Sequence, residues 1–487
     1  MKKWLGNALE YIPRWIEFQV RMLQQPGCVI AIAHRGAVVL EAAFGSANLA
    51  TGEALTPRHR FRIGSQSKSF TAAGILRLRE QGRLRLDDPA ALFVGGLHPD
   101  VAGSTILQLL SHSAGVIRDG RGAGQFLDRR PFLSRGELLS DLKEPLAIEP
   151  NTRFKYSNLG YGLLGLIMEA ITGETYRAWI KRELVDALGL DESAPDMPLP
   201  RRVPFASGHT SPVLLGGRQP IPGDFETHAV CPAGGFVSTA SDTVRYFAQL
   251  SPKAGKSILS VASRREMIRG QWRNPVREVE QYYGLGIASG SLGGWDWFGH
   301  SGGLQGYVSR TCVLSNQELA VSVLTNAIDG WADAWVDGAI HILRGFAQHG
   351  VPERKARDWS GRWWSLWGAY DLLPMGGKVV VASTASLNPM LGAGEIEVTG
   401  RNTGRFLSAD TYGSHGEPVR CVRGKSGKIN EIWLAATKLV PARELARELQ
   451  ARYGERVATD LAPEPIARRE PERKRKTLVD HRRPDHR

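Results

Sequence analysis

Apolar residues recur at helical spacing at the start of the chain. Leu5, Leu9, Ile12, Ile16, Val20 and Leu23 fall on one face of a helix over 4–24, in spite of Pro13. Pro26-Gly27 ends it, and the pattern shortens to strands: Val29-Ile-Ala-Ile-Ala33 and Val38-Val-Leu40 flank the turn Arg35-Gly36. A second helix is predicted from about Ser65 to Arg79, stopping near Gly82. Residues 159–172 are apolar nearly all round, the mark of a buried helix. Four strand-like runs follow at 283–289, 295–298, 309–314 and 319–325, separated by Gly or Asn.

Strands at both ends of a long segment with helices between them predict an α+β unit over 1–350, built on one antiparallel sheet made from the segment's two termini. Residues 351–357 are polar and read as a linker. Over 358–455 short strands alternate with glycine turns to about Leu439, and a helical run over 442–453 follows, which predicts a small β-rich second domain. Residues 456–487 read as a disordered basic tail. No internal repeat is visible.

Composition narrows the function classes. The chain has 487 residues, 42% hydrophobic and 23% charged, as in a soluble protein of two or three domains. Met-Lys-Lys at the start invites a leader reading, but Asn7, Glu10, Pro13, Arg14 and Glu17 interrupt any apolar core. No run of about twenty apolar residues suggests a membrane span. The expected location is the cytoplasm, where four isolated cysteines (Cys28, Cys231, Cys312, Cys421) would stay reduced. None has the Cys or His spacing of a zinc site. The net charge is +13, of which +5 lies in 468–487, so nucleic-acid binding is not the expected role of the body of the protein.

The candidate chemistry lies in three short strings. Ser65-Gln-Ser-Lys68 puts a hydroxyl and an amine on one face of a helix start, where a partly desolvated lysine can activate the serine. Ser140-Asp-Leu-Lys143 repeats the spacing but lies mid-helix on a polar face. Tyr156-Ser-Asn158 follows a turn and precedes the buried helix. Its phenol, depressed by a nearby ammonium, is a candidate general base, and the Asn158 amide a candidate substrate contact. His300-Ser301-Gly302-Gly303 lies between two strand-like runs, where a backbone N–H could join that of Ser65 in an oxyanion hole. The set needs no metal and no cofactor.

In this order and spacing the strings resemble the serine β-lactamase and penicillin-binding superfamily, most of all the branch of class C β-lactamases, D-aminopeptidases, D-amino-acid amidases and related esterases. Supporting stretches are Phe61 to Phe70, Leu109-Leu-Ser-His-Ser-Ala-Gly115, Ala233-Gly-Gly-Phe-Val-Ser-Thr239 and Tyr283-Gly-Leu-Gly286. The resemblance covers about 15–345. It implies an antiparallel sheet flanked by helices, with an all-helical subdomain. It further implies that 359–440 is the small lipocalin-like β-barrel that many such hydrolases carry.

Family roles then fall on Ser65 as nucleophile, Lys68 and Tyr156 as the proton-transfer pair, and Asn158 with His300, Ser301 and Gly302 as substrate contacts. The oxyanion position falls on the backbone of Ser65 and Gly303. Penicillin-recognising members have Lys-Thr-Gly where this chain has His300-Ser-Gly302. Lys425-Ser-Gly427 would pass as a variant but sits in a basic turn of the second domain. An imidazole holds a carboxylate less well than an ammonium at neutral pH, which favours amides, peptides or esters over β-lactams.

The expectation is therefore a serine hydrolase of amide or peptide bonds, with peptides or amides of D-configured residues among its candidate substrates. An esterase or β-lactamase of the same fold, or a non-catalytic penicillin or peptide binder, are the alternatives. Its partner is a small-molecule or short-peptide substrate, and self-association into a homo-oligomer stays open.

Overall fold

Gly27–His34 carries an apolar or small residue at nearly every position, and a strand of that texture must be covered on both faces. It becomes the centre of the molecule. This computed structural model describes residues 2–274, 280–408 and 413–460. After helix α1 (Lys3–Met22) come strands β1 (Gly27–His34) and β2 (Ala37–Asn48). Helices α2 (Ser67–Glu80), α3 (Asn158–Thr172) and α4 (Ala240–Gln249) follow. Then come β3 (Gln281–Tyr283), β4 (Ala288–Leu292), β5 (Trp295–Leu304), β6 (Tyr307–Leu314), β7 (Leu319–Thr325) and helix α5 (Ala332–His349).

The strands pair antiparallel in the order β2-β1-β7-β6-β5-β4-β3, with the two-residue strands Glu53–Ala54 and Trp272–Arg273 at the outer edges. The first and last long stretches thus meet in the middle, as the sequence predicts: Val29 lies opposite Leu324. Strand alternation splits the core in two. Cys28, Ile30 and Ile32 join the cluster of α1 and α5, while Val29, Ala31 and Ala33 join that of α2, α3 and α4. Short helices such as Ile106–Leu110 and Arg135–Asp141 extend the second layer, and both begin in a capping box.

The second domain is an antiparallel meander: β8 (Gly361–Ser365), β9 (Gly368–Met375), β10 (Lys378–Ser383), β11 (Gly394–Val398), β12 (Thr403–Ser408), β13 (Pro418–Arg423), β14 (Ile429–Leu434) and β15 (Thr437–Leu439). Trp364 and Val440 exchange backbone hydrogen bonds of 2.8 and 2.9 Å, which bring the first strand to the end of the last and nearly close a barrel. Its interior is filled by Trp359, Trp363, Leu372, Val379, Ile396 and Phe406. Its outer residues Leu373, Met375, Val380 and Ala382 pack on α1 and α5. Tyr11 Oη donates to Asp371 Oδ2 at 3.0 Å and Gln19 Nε2 to the Thr384 carbonyl at 2.7 Å. The barrel therefore sits on the face of the sheet opposite α2.

Several elements differ from expectation. The strand begun at Val38 continues to Asn48 because its outward positions tolerate half-burial. The 283–289 run is broken by a loop in which Gly286 takes φ +68°. β5 extends to Leu304, so His300 to Gly303 lie inside a strand and not between two. The last helix, α6 (Ala442–Asp460), outlasts its predicted end and enters the stretch expected to be disordered. No proline or glycine occurs in it after Gly454. The remainder of the basic tail, 461–487, lies outside the described residues.

A buried ion pair ties the layers together just ahead of Ser65. Arg62 Nη1 donates to Asp196 Oδ1 at 3.0 Å and to the Gly235 carbonyl at 2.9 Å, and Nε donates to the Gly223 carbonyl at 2.9 Å. Asp196 in turn accepts from the backbone N–H of Met197 and of Thr227, each at 2.9 Å. Both side chains are fully shielded from solvent. Arg62→Met strands a buried carboxylate and is expected to lower the unfolding free energy by about 3–5 kcal/mol in a urea titration.

Candidate active site

Ser65 is presented by a tight turn. Gly64, at φ +52°, lets the Gly64–Gln66 turn lie against β5, where a Cβ would stand 2.8 Å from both the N and the O of Gly303. Gly302 is equally required, since a side chain there would run into the Ile63 carbonyl. Ser309 Oγ on β6 donates to that carbonyl and accepts from Gln66 Nε2, each at 2.8 Å. Ser67, first residue of α2, holds the turn from within, donating to the Gly64 carbonyl at 2.6 Å and accepting from Phe236 N–H at 3.0 Å. The helix proper thus begins at Ser67, and Ser65 stands half-buried at its mouth.

Lys68, one turn on, is fully buried. Its Nζ lies 2.7 Å from Asn158 Oδ1, 2.8 Å from the Ala233 carbonyl and 3.2 Å from Ser65 Oγ. Two of these partners can only accept. They fix two N–H groups and aim the third position of the nitrogen at the serine. Tyr156 Oη donates to the same Ser65 Oγ at 2.7 Å. The structure therefore brings together Ser65 from the turn before α2, Lys68 from its first turn, Tyr156 from the approach to α3 and Asn158 from its first position.

Burial governs the proton affinities. Lys68 is held well below the ordinary lysine range by desolvation, which the charge of Asp119 opposes and that of Arg118 reinforces. Its amine form is accordingly accessible. Tyr156 goes the other way: desolvation pushes its phenol above the usual range, and the Ser65 hydrogen bond only partly offsets this. This corrects the expectation of a depressed phenol. A buried phenolate loses its hydration, so in the free protein the Tyr156 phenol keeps its proton and makes a hydrogen bond with it to Ser65 Oγ.

The third string divides by strand alternation. His300 faces the site, but Nε2 meets Tyr283 Oη at 3.0 Å and Nδ1 meets the Ser301 carbonyl at 2.5 Å. Both ring nitrogens are engaged by protein. Burial, with Lys68 close by, lowers the His300 pKa to about 4, so the ring is neutral at neutral pH. Ser301 points to the far side of the sheet, donating to Asp333 Oδ1 on α5 at 2.6 Å, which removes its hydroxyl from the Ser65 face and with it the expected substrate contact. Gly303 is exposed beside Ser65 and open toward the cavity. Lys425-Ser-Gly427 falls in the turn between β13 and β14, within the barrel.

A cavity of about 190 Å³ opens on Ser65. Asp119, Arg118 and Asn158 line it on one side, and Phe126, Phe132, Val230 and Leu304 on the other. Among the described residues no cluster of three or more His, Cys, Asp or Glu is arranged to hold a metal ion, and no helix is long and apolar enough to cross a membrane.

A model of the Beta-lactamase family matches residues 14–337. The chain belongs to the beta-lactamase family. Penicillin-binding protein 4 of Amycolatopsis lactamdurans is 30% identical over 332 residues, which cover 62% of this chain and 81% of that protein. Protein flp of Staphylococcus aureus (strain NCTC 8325 / PS 47) is 27% identical over 198 residues, 39% of each chain, so this chain spans about two fifths of flp's length. Among solved structures, the octameric penicillin-binding protein homologue from Pyrococcus abyssi superposes with a TM-score of 0.62 at 23% identity, covering 89% of this chain and 99% of that one. The D-amino acid amidase from Ochrobactrum anthropi SV3 gives 0.59 at 22% identity, over 70% and 98%. These likenesses place the β-lactamase-like fold followed by the barrel.

In this beta-lactamase-family chain several residues complete the site that sequence reasoning did not single out. Asp119 accepts from Asn158 Nδ2 at 2.5 Å, and the Ala233 carbonyl holds Lys68. His112, at φ +59°, lies under the Tyr156 ring at 4.2 Å and accepts the Ser157 N–H at 3.1 Å. The stretches containing His112, Ala233 and Tyr283 are visible in the sequence as likenesses, but only the fold assigns them contacts. Asp119, in an Asp-Gly turn, carries no such signal.

His300 is a base whose folded pKa lies below its ordinary value, so its contribution is neutral above about pH 6.5 and destabilising below, where only the unfolded chain binds the proton. Unfolding free energy is expected to fall by roughly 3 kcal/mol from this group as pH drops to about 4. Urea titrations of His300→Gln across that range should show a flatter slope.

Proposed function

We propose that the protein is a serine hydrolase that forms an acyl-enzyme on Ser65 and acts on amide or peptide bonds, including those of D-configured residues. One observation carries this reading: two carbonyl acceptors pin the Lys68 nitrogen so that its remaining position meets Ser65 Oγ. As Oγ bonds the substrate carbonyl carbon, the serine proton passes to Lys68. The N–H groups of Ser65 and Gly303 face the developing oxyanion. The leaving nitrogen takes the Tyr156 proton as its bond to carbon breaks, and Lys68 then restores the phenol. Water enters by the same route, bonding to the acyl carbon as its proton passes through Lys68 to Ser65 Oγ, whose bond to that carbon breaks and frees the carboxylic acid.

The preference for amides over β-lactams rests on His300, whose ring is neutral and whose nitrogens are both taken. Without a cation there, a substrate carboxylate gains little. The fold shared with a D-amino acid amidase supports the same class. The four buried free cysteines suit a reducing compartment, and the octameric Pyrococcus abyssi homologue supports a homo-oligomer.

Turnover of D-alanine p-nitroanilide, its L counterpart, p-nitrophenyl butyrate and nitrocefin tests the reading. Wild type should favour an anilide or the ester over nitrocefin. Ser65→Ala and Lys68→Met should lose at least about a hundredfold in kcat, and Tyr156→Phe about tenfold or more. No turnover and no Ser65 adduct by mass spectrometry would overturn the enzyme, and fast nitrocefin hydrolysis the preference.

A further inference from the structure

We propose that Asp119 is a positioning residue whose carboxylate locks the Asn158 amide and thereby aims the Lys68 amine at Ser65. This rests on the hydrolase reading of the site and goes further into how it is held.

The Asn158 amide stands between two partners of opposite kind. Its Oδ1 accepts from Lys68 Nζ at 2.7 Å, and its Nδ2 donates to Asp119 Oδ1 at 2.5 Å. Turning the amide over would set donor against donor at Lys68 and acceptor against acceptor at Asp119, and when Lys68 is a neutral amine that could itself accept, the carboxylate still holds the oxygen end toward it. Asp119 is fixed in its turn, since its Oδ2 accepts from Arg118 Nε at 2.9 Å. The same pair is anchored to α3: the Arg118 carbonyl accepts the N–H of Asn158 at 2.9 Å and of Leu159 at 3.2 Å. Arg118 also lies over the Tyr156 ring at 5.1 Å.

The carboxylate has a second effect through charge. The groups around Lys68 are Asp119 and Arg118 from the loop after the Ile106–Leu110 helix, Tyr156 just ahead of α3 and Tyr161 in its first turn, His112, and His300 with Tyr283 from the sheet. Among the charges that act on Lys68, Asp119 is the one that favours the ammonium. Removing it lowers the pH at which the amine appears, while leaving that amine poorly aimed.

A neutral fluorophosphonate separates these effects. It forms an Oγ–P bond at Ser65 as the P–F bond breaks and fluoride leaves, the serine proton going to Lys68. Its labelling rate against pH is compared for wild type, Asp119→Asn and Asp119→Ala, all as full-length chains. Asp119→Asn can still accept from Asn158 and should keep most of the plateau rate. Asp119→Ala should lose roughly tenfold or more. In both, the acid-side midpoint should move down by roughly half a unit to one unit.

Wild type that never labels at Ser65 overturns the hydrolase reading itself. Labelling by wild type with unchanged rate and midpoint in Asp119→Ala overturns this proposal alone. Equal plateau losses in the two variants overturn the lock. A defect confined to substrates bearing a free ammonium, with fluorophosphonate labelling intact, would make Asp119 an ammonium anchor instead. If Asp119→Ala fails to fold by circular dichroism, Asp119→Ser, whose shorter side chain also withdraws the acceptor, takes its place in the plateau comparison.

Discussion

A fully buried amine is the constraint around which the molecule is organised. An ammonium taken out of water needs acceptors on every side or it loses its proton, and Lys68 is supplied from three separate parts of the chain. Ser65 comes from the turn before α2, Asn158 from the first position of α3, and the Ala233 carbonyl from the short Cys231–Gly234 helix. Placing these within hydrogen-bond reach requires that the sheet, the helical layer and the 195–235 connection be fixed relative to one another. The Arg62–Asp196 pair does this a few residues upstream, gathering the carbonyls of Gly223, Phe225 and Gly235 around one guanidinium.

The same economy of placement explains what lies far from the chemistry. The barrel contacts α1 and α5, and the sheet stands between it and Ser65. Ser301 belongs to that far side too, sharing Asp333 with the buried Arg310. Within one strand, alternate residues therefore serve the site and the scaffold: His300 and Gly302 face the serine turn, while Ser301 braces α5.

Much of this was legible in the chain. Helical spacing located α1, the all-apolar texture of 159–172 located α3, and the apolar run after Gly27 located the central strand. Ser65, Lys68, Tyr156 and Asn158 were readable because each lies in a short string of distinctive residue types. What the sequence hid were quantities that depend on surroundings. The proton affinity of Tyr156 reverses once its hydroxyl is buried, and the two nitrogens of His300 are taken by Tyr283 and by a carbonyl next in sequence. Asp119 matters through a residue 39 positions away, a separation that no local pattern encodes.

The pairing of β1 with β7 has a consequence for how the chain reaches its native state. A central strand made at residues 27–34 must wait for its partner at 319–325, so the sheet cannot close until nearly the whole beta-lactamase-family unit has left the ribosome. Helix α1 waits longer still, because Tyr11 and Gln19 find their partners at Asp371 and Thr384 in the barrel. Helix α1 is thus among the last parts to be locked, and a nascent chain cut short before the barrel would leave part of its apolar face unsealed.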